Sequence, residues 1–293
     1  MLRYGFLLFP LYWYVQGTLY MALFSIGHDC AHASFSIYPL LNDGIAPFVC
    51  SGTIVFTWIF IPYYPWKITH QNHHKNTGNM DKDEGYHPKR GETCDTSWTS
   101  KVILWTPGLV WFYYLTCGDS SHGVNHFNPF ESIYAQHLIG VSLSLSAYAA
   151  MLYLMFIYAI HMSIINLVVY HLIPVFVFAT YLVIVTLNVP WFIDDEWNYV
   201  KGQLSTVDRH YGHVHSIIHS IGTHQIHHLF PKIPHYHLEE ATVHFRKAFP
   251  NLVRVNYDRI LSSFVRMSKK FARQRYIGND VSVFTYSNDQ DND

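Results

Sequence analysis

Eight histidines in three tight clusters carry the clearest chemical signal in this chain. Cluster one reads His28-Asp-Cys-Ala-His32, cluster two reads His70-Gln-Asn-His73-His74, and cluster three reads His224-Gln-Ile-His227-His228. Residues three or four apart share one face of a helix, so each cluster can aim two or three imidazoles at a single point. Neutral imidazole is the commonest side-chain metal ligand and suits iron, zinc and copper. Three such clusters, two of them with HxxHH spacing, predict a polynuclear metal site.

The number of histidines favours two metals and an open coordination sphere. Eight imidazoles give each of two metals about four ligands and leave positions free for oxygen, a combination that suits iron and O2 chemistry. Soluble di-iron proteins instead pair carboxylates with two ExxH motifs on a four-helix bundle. Glu84-Gly-Tyr-His87 is a single such motif, and we interpret it as coincidental. Any one cluster alone would also fit histidines that merely lie among lipid headgroups, but three together do not.

The composition indicates a membrane protein. The chain has 293 residues, of which 50% are hydrophobic and 13% are charged, about half the charged fraction of soluble domains. Apolar runs of some twenty residues at 6–27, 138–160 and 164–187 predict membrane-spanning helices. A net charge of −1 excludes a nucleic-acid-binding surface built on excess basic residues. The four cysteines form no CxxC pair, which is typical of a reducing compartment.

The segment 45–64 decides whether the clusters can meet. A single crossing there, which hydropathy alone would favour, would separate cluster one from cluster two. The segment contains Pro47, Gly52 and Pro62, with Pro65 just beyond it, so we predict that it is re-entrant or lies along the membrane surface. The shorter aromatic-rich stretch 102–115 is interpreted as interfacial.

The distribution of basic residues sets the orientation. Lysine and arginine concentrate in 67–101 and in the C-terminal part of the chain, which predicts that the clusters face the cytosol. The polar, acidic stretch 279–293 is expected to be a disordered tail. The predicted fold is therefore all-α: one domain over 1–278 in which multi-span membrane helices bear a cytosolic helical cap that carries the metal site.

The motifs around the clusters resemble those of membrane fatty acid desaturases of the methyl-end (Δ12/omega-3) type, and the likeness extends over nearly the whole chain. Cluster one is similar to the family's HDCGH, and the run HQNHHKNTGNMDKDEGYHP over 70–88 is similar to its second histidine box. HFNPF at 126–130 is a further match. The stretch THQIHHLFPKIPHYHL over 223–238 is the most specific, and it is closer to the omega-3 version than to the Δ12 version.

The resemblance implies a function and its cofactors. All eight cluster histidines would hold two iron ions, and O2 would be the co-substrate for introducing a cis double bond into a lipid-linked or CoA-linked acyl chain, with omega-3 (Δ15) favoured over Δ12. Cytochrome b5 and its reductase would be separate electron donors, because the chain shows no HPGG haem motif. The implied location is the endoplasmic reticulum membrane. We expect five further residues to support the ligands or contact the substrate headgroup: Trp197, Asp208, Arg209, His235 and His237.

Two departures from the family pattern keep alternatives open. The family usually has about two spans before cluster one, whereas this chain has one. The family also carries a histidine-containing segment after the last span, where this chain has Thr186-Leu-Asn-Val-Pro-Trp191, so that Asn188 is the nearest candidate for an additional ligand. The alternatives are a fatty acyl hydroxylase or conjugase that uses the same site, and a truncated, non-catalytic desaturase isoform.

Overall fold

The computed structural model describes residues 5–43, 52–83, 89–90, 105–118, 123–161, 163–185, 191–273, 276–277 and 281–284. This part of the chain is mostly helical, as predicted. Its helices are α1 (Phe9–Ala31), α2 (Pro39–Asp43), α3 (Gly52–Trp58), α4 (Tyr63–Asn76), α5 (Pro107–Cys117), α6 (Leu138–His161), α7 (Ile164–Leu167), α8 (Ile173–Val185), α9 (Tyr199–Leu204), α10 (His224–Leu229), α11 (His235–Ala248) and α12 (Ile260–Arg273).

The described structure also contains six two-residue strands. They are β1 (Lys89–Arg90), β2 (Trp191–Phe192), β3 (Asp208–Arg209), β4 (Val255–Asn256), β5 (Tyr276–Ile277) and β6 (Val283–Phe284). The pairs β1–β5 and β3–β4 are parallel, and β2–β6 is antiparallel. These short pairs join distant parts of a helical chain rather than form a sheet core.

Two helical stretches of the described chain are long and apolar enough to cross a membrane. They are α6, and the run Ile164–Val183 that joins α7 to α8 through a π-helical turn. Both coincide with predicted spans, and α6 exposes apolar side chains along its length, such as Ile139 and Tyr153. Helix α1 covers most of the predicted span 6–27 but does not reach the same hydropathy, so a crossing there remains a prediction.

The ring of Phe24 lies at the point where five helices meet. Its centroid is 5.1 Å from that of Phe56 in α3, 5.3 Å from Trp66 in α4 and 5.7 Å from Phe178 in α8. Trp111 of α5 completes the contact at 6.4 Å. Since Phe24 is one helical turn before His28, this buried aromatic core fixes the end of α1 that carries cluster one.

Gly27 permits the close approach of α3 to α1. A Cβ atom at this position would lie 2.1 Å from a ring carbon of Phe56, so any side chain would push α3 away. The predicted re-entrant segment contains α3, whose seven residues span only ~10 Å. The chain turns sharply after it, with Phe60 at φ 62°, and α4 starts at Tyr63. Residues 44–51 lie outside the described structure.

Helix α5 packs along α8, which the interfacial interpretation of 102–115 did not anticipate. Trp111 and Leu115 are buried in the common core. Gly108 faces the ring of Phe176, which a Cβ atom would meet at 2.7 Å. The absence of a side chain at Gly108 therefore lets the two helices approach closely.

The prediction of a disordered tail over 279–293 is wrong for residues 281–284. Val283 and Phe284 form β6, which pairs with Phe192 and Trp191 of β2. Ile193 N–H also donates to Ser282 O. β-Branched and aromatic residues favour a strand, and a small apolar cluster with Met80 and Trp191 receives Phe284. Residues 285–293 lie outside the described structure.

Candidate metal centre

Cluster one occupies the C-terminal end of α1. His28 lies in the last turn, and His32 directly follows the helix, with its N–H donating to His28 O. The two imidazole centroids are 4.7 Å apart. Asp29, between them in sequence, is buried. Its carboxylate accepts hydrogen bonds from His235 N–H and Nδ1, so its side chain binds the first residue of α11.

Clusters two and three lie on α4 and α10, as the HxxHH spacing predicts. His70 and His74 are one turn apart on α4, with their Nε2 atoms 3.2 Å apart. Helix α10 has only six residues. Its first turn is stabilised by a hydrogen bond to a residue outside the helix. Gln225 N–H donates to Asp208 Oδ1 at 2.8 Å, and Arg246 donates to the other oxygen of the same carboxylate.

Five histidines from all three clusters form one compact set, called here the five-histidine group. It consists of His28, His32, His70, His74 and His227, each of which offers one ligand atom, and all five atoms lie within 4.8 Å of one another. Within it, His74 Nε2 lies 3.2 Å from the Nε2 atoms of both His70 and His227. Imidazole nitrogens that converge in this way are typical of a metal site.

The remaining cluster histidines form an adjoining three-histidine group: His73, His224 and His228. His224 and His228 bring their Nε2 atoms to 2.9 Å, and the ring of His73 lies 5.2 Å from that of His228. His228 also stacks on His74 of the five-histidine group, with centroids 4.2 Å apart. The eight predicted ligands are thus brought together in two neighbouring groups.

The electrostatics of seven of these residues favour neutral imidazole. Burial first, and then the proximity of the other histidines, hold the pKa of each of six residues well below its usual value: His28, His32, His70, His74, His227 and His228. Burial likewise lowers the pKa of His224 to about 3. Because a metal binds the unprotonated nitrogen, these shifts keep the lone pairs available.

His73 is the exception, because Asp83 lies beside it. Burial by itself lowers the pKa of His73, but the charge of Asp83 and its hydrogen bond together outweigh burial and raise the pKa above its usual value. His73 Nδ1 is 2.6 Å from Asp83 Oδ1, and Asp83 Oδ2 accepts from Gly78 N–H. A carboxylate that holds Nδ1–H leaves Nε2 free, as in carboxylate–histidine–metal arrangements.

One unpartnered buried nitrogen agrees with a donor set that fits a metal. His32 Nε2 is buried and has no hydrogen-bond partner within the described structure, and His32 belongs to the five-histidine group. Buried polar atoms are normally paired, and neutral imidazole nitrogens suit iron among other transition metals. The residues present could therefore hold a metal ion.

Three of the further predicted residues support the elements that carry the ligands. Asp208 holds the first turn of α10, as described above. Trp197 Nε1 donates to Thr77 O, at the end of α4. His235 binds Asp29 of cluster one. Each connects a cluster-bearing element to another part of the fold.

The other two predicted residues make hydrogen bonds or ion pairs with residues outside the clusters. Arg209 is buried and donates to Ser263 Oγ of α12 at 2.7 Å. His237 is exposed, and its Nδ1 lies 3.8 Å from Glu240. Asn188 lies outside the described residues, so its role as an additional ligand stays a prediction.

Sequence reasoning missed two residues that contact His228. Gln203 Oε1 and Thr77 Oγ1 each lie 3.1 Å from His228 Nδ1. Thr77 lies in the 70–88 run that resembles the second histidine box, but nothing in the sequence indicates that Thr77 or Gln203 contacts a histidine 151 or 25 residues away. Only the fold reveals them.

Comparison with known proteins supports the resemblance. The family model described as fatty acid desaturase matches residues 5–259. The chain belongs to the fatty acid desaturase family. Within this desaturase family, its relatives include an Arabidopsis thaliana protein named acyl-lipid omega-3 desaturase (cytochrome b5), endoplasmic reticulum. It is 37% identical over 252 residues, which cover 80% of this chain and 63% of the relative.

Two other similar desaturases carry names that specify ferredoxin. The Arabidopsis thaliana temperature-sensitive sn-2 acyl-lipid omega-3 desaturase (ferredoxin), chloroplastic, is 37% identical over 81% of this chain and 56% of its own length. The sn-1 acyl-lipid omega-3 desaturase (ferredoxin) of Synechocystis sp. is 33% identical over 88% of this chain and 73% of its own length. The chain thus spans only about half to three quarters of these relatives.

Proposed function

We propose that this chain carries out O2-dependent desaturation of a fatty acyl chain and introduces a cis double bond toward the methyl end, with omega-3 (Δ15) favoured over Δ12. The observation that carries the proposal is the convergence of five ligand nitrogens from three separate clusters within 4.8 Å. Membership of the desaturase family supports desaturation as the reaction at this site. Relatives named omega-3 desaturases support the position of the double bond.

The proposed cofactors are two iron ions, one at the five-histidine group and one at the three-histidine group. Iron held by these histidines would supply, together with O2, the oxidising power that an unactivated C–H bond requires. The overall reaction is R–CH2–CH2–R + O2 + 2e⁻ + 2H⁺ → R–CH=CH–R + 2H2O. The two electrons come from an external donor, and the two protons come from solvent.

The protein's own contribution is to hold the ligands neutral and in place. The buried imidazoles have lowered pKa values, as described above, so protons do not compete strongly for them near neutral pH. Asp83 orients His73 through Nδ1, and Asp208 holds the first turn of α10. A pre-oriented ligand set costs no reorganisation when the substrate arrives.

Contacts between clusters support a membrane topology with the site on one side. The rings of His28 and His70 are 4.7 Å apart, so the connection between clusters one and two must return to the side on which it began. We infer that 45–64 is re-entrant or interfacial, and that the site faces the cytosol. The short α3 and the sharp turn at Phe60 agree with this topology.

The proposed electron donor is a separate cytochrome b5 with its reductase, at the endoplasmic reticulum membrane. The relative from Arabidopsis thaliana whose name specifies both cytochrome b5 and the endoplasmic reticulum supports this choice. Other relatives specify ferredoxin, so ferredoxin is the alternative donor.

Expression in yeast, with oleate and linoleate supplied, tests the proposal. We expect linoleate to gain a double bond at the omega-3 position, measured by mass spectrometry of derivatised fatty acids. A product with added oxygen would instead identify a hydroxylase on the same site. No new product, in cells that contain the folded protein and both donors, would identify a non-catalytic isoform.

A further inference from the structure

We infer that Gln203 is a positioning residue that fixes the tautomer of His228 and ties cluster three to cluster two. Gln203 lies in α9, outside all three clusters, and its side chain is completely buried. Both ends of its amide are within hydrogen-bond distance of cluster residues. The inference rests on the proposed function of the eight histidines as a metal centre.

The orientation of the amide follows from its partners. One end of the Gln203 amide lies 2.7 Å from the main-chain oxygen of His74. A carbonyl oxygen only accepts hydrogen bonds, so this end must be the NH2 group. The other end is therefore Oε1, and it faces His228 Nδ1 at 3.1 Å.

This orientation determines where His228 carries its proton. Oε1 of Gln203 can only accept, so Nδ1 of His228 must donate. Thr77 Oγ1 is a second acceptor at 3.1 Å, because its own hydroxyl proton is donated to His73 O at 2.7 Å. Two acceptors thus share one Nδ1–H, and neutral His228 is left with an unprotonated Nε2.

The unprotonated Nε2 is the atom directed at the three-histidine group, where it lies 2.9 Å from His224 Nε2. A histidine that ligates a metal normally donates its other N–H to a protein acceptor, which fixes the ring and strengthens the ligand. Gln203 meets this requirement for His228. Its second hydrogen bond, to His74 O, also joins α9 to α4, the helix that carries cluster two. The rings of His74 and His228, which stack on each other, are thus both connected to Gln203.

The test is the rate at which iron leaves the protein. The Gln203→Met variant keeps the side-chain volume but removes both hydrogen bonds. We expect Fe(II) transfer from the purified full chain to a chelator to be ~10- to 100-fold faster, the usual range for residues that support metal ligands. Gln225→Met is the matched control, because Gln225 is equally buried but the partners of its side-chain amide within the described structure are main-chain groups of Leu204, Leu252 and Arg254. It should lose stability without comparable acceleration of release.

Two further variants separate a positioning role from simple destabilisation. Gln203→Glu keeps the acceptor for His228 Nδ1–H but loses the donor to His74 O, so its rate of iron release should lie between those of Gln203→Met and wild type. Thr77→Val removes the other acceptor, and because Thr77 and Gln203 share one proton, the double variant Thr77→Val/Gln203→Met should lose iron faster than the two single effects combined predict. If Gln203→Met does not fold, Gln203→Glu and the single variant Thr77→Val still test the inference, because each keeps at least one acceptor for His228 Nδ1–H.

The outcomes distinguish this inference from the proposed function. Iron in the wild-type chain, with equal release rates for wild type and Gln203→Met, would overturn the role of Gln203 and leave the metal centre intact. Strictly additive effects of Thr77→Val and Gln203→Met would contradict the shared proton. A folded wild-type chain that binds no iron would overturn both.

Discussion

Asp29 and His235, 206 residues apart in the chain, are joined by two hydrogen bonds. Asp29 Oδ2 accepts from the main-chain N–H of His235 at 3.0 Å and from its Nδ1 at 2.7 Å. His235 is the first residue of α11, so Asp29 satisfies one of the free N–H groups at the start of that helix. A carboxylate of cluster one thereby anchors the helix that follows cluster three.

Replacement of Asp29 should loosen this anchor. In Asp29→Asn the charge is lost, so both hydrogen bonds from His235 must be accepted by a neutral amide oxygen, and we expect a loss of about 1–3 kcal/mol in stability. The measurement is thermal unfolding of the purified protein in detergent. His237→Ala, a change at an exposed neighbour on α11, is the control and should unfold like wild type. Equal midpoints for Asp29→Asn and wild type would contradict the anchor.

Loss of one ligand should remove both metal and activity. His227 is buried and belongs to the five-histidine group, so His227→Ala should abolish desaturation and reduce bound iron. His244→Ala is the matched control, because His244 is exposed and lies outside the clusters. Metal analysis and fatty-acid profiles from the same cells check both. Unchanged iron and product in His227→Ala would remove that residue from the ligand set.

The Asp83–His73 pair should govern iron affinity at the three-histidine group. Asp83→Asn removes the charge that raises the pKa of His73 and weakens the hydrogen bond that orients its ring. We expect iron affinity to fall ~10- to 100-fold, measured by competition with a chelator. Asp195→Asn, at an exposed position, should keep wild-type affinity. If both variants bind iron equally well, Asp83 does not support a ligand.

Much of the candidate site could be predicted from the sequence because its signal is local. HxxHH spacing on a helix places imidazoles on one face whatever the rest of the chain does, and α4 and α10 place their histidines accordingly. Long apolar runs likewise predicted α6 and the run 164–183. These patterns need no knowledge of distant partners.

The remainder depended on partners that are far away in the sequence. Gln203 gains its role only when α9 lies between His74 and His228. The polar sequence of the tail did not indicate that Val283 and Phe284 would form a strand and pair with β2. Gly108 permits the packing of α5 on α8, a contact that hydropathy does not encode.

Acid should destabilise the site. For the seven histidines whose pKa values are lowered in the folded chain, the unfolded state binds more protons once the pH falls below ~6.5. The stability from their neutral forms is present above that pH and is lost as the pH falls toward the folded values, about 3 for His224. His73, with a raised pKa, acts in the opposite direction but is one group against seven.

The measurement is the unfolding midpoint of the iron-free chain between pH 8 and pH 5. We expect the midpoint to fall in the acidic part of this range, and iron-loaded protein to lose its metal over the same interval, because protons compete with the metal for the ligand nitrogens. A midpoint that rises as the pH falls from 7 to 5 would contradict the neutral, buried cluster.

Metal analysis of purified protein that converts linoleate tests the central claim most directly. If the five-histidine and three-histidine groups each hold one ion, the active preparation should contain about two irons per chain, and product yield should follow iron content as the metal is removed and restored. Full conversion by a preparation with far less than one iron per chain would contradict the di-iron assignment.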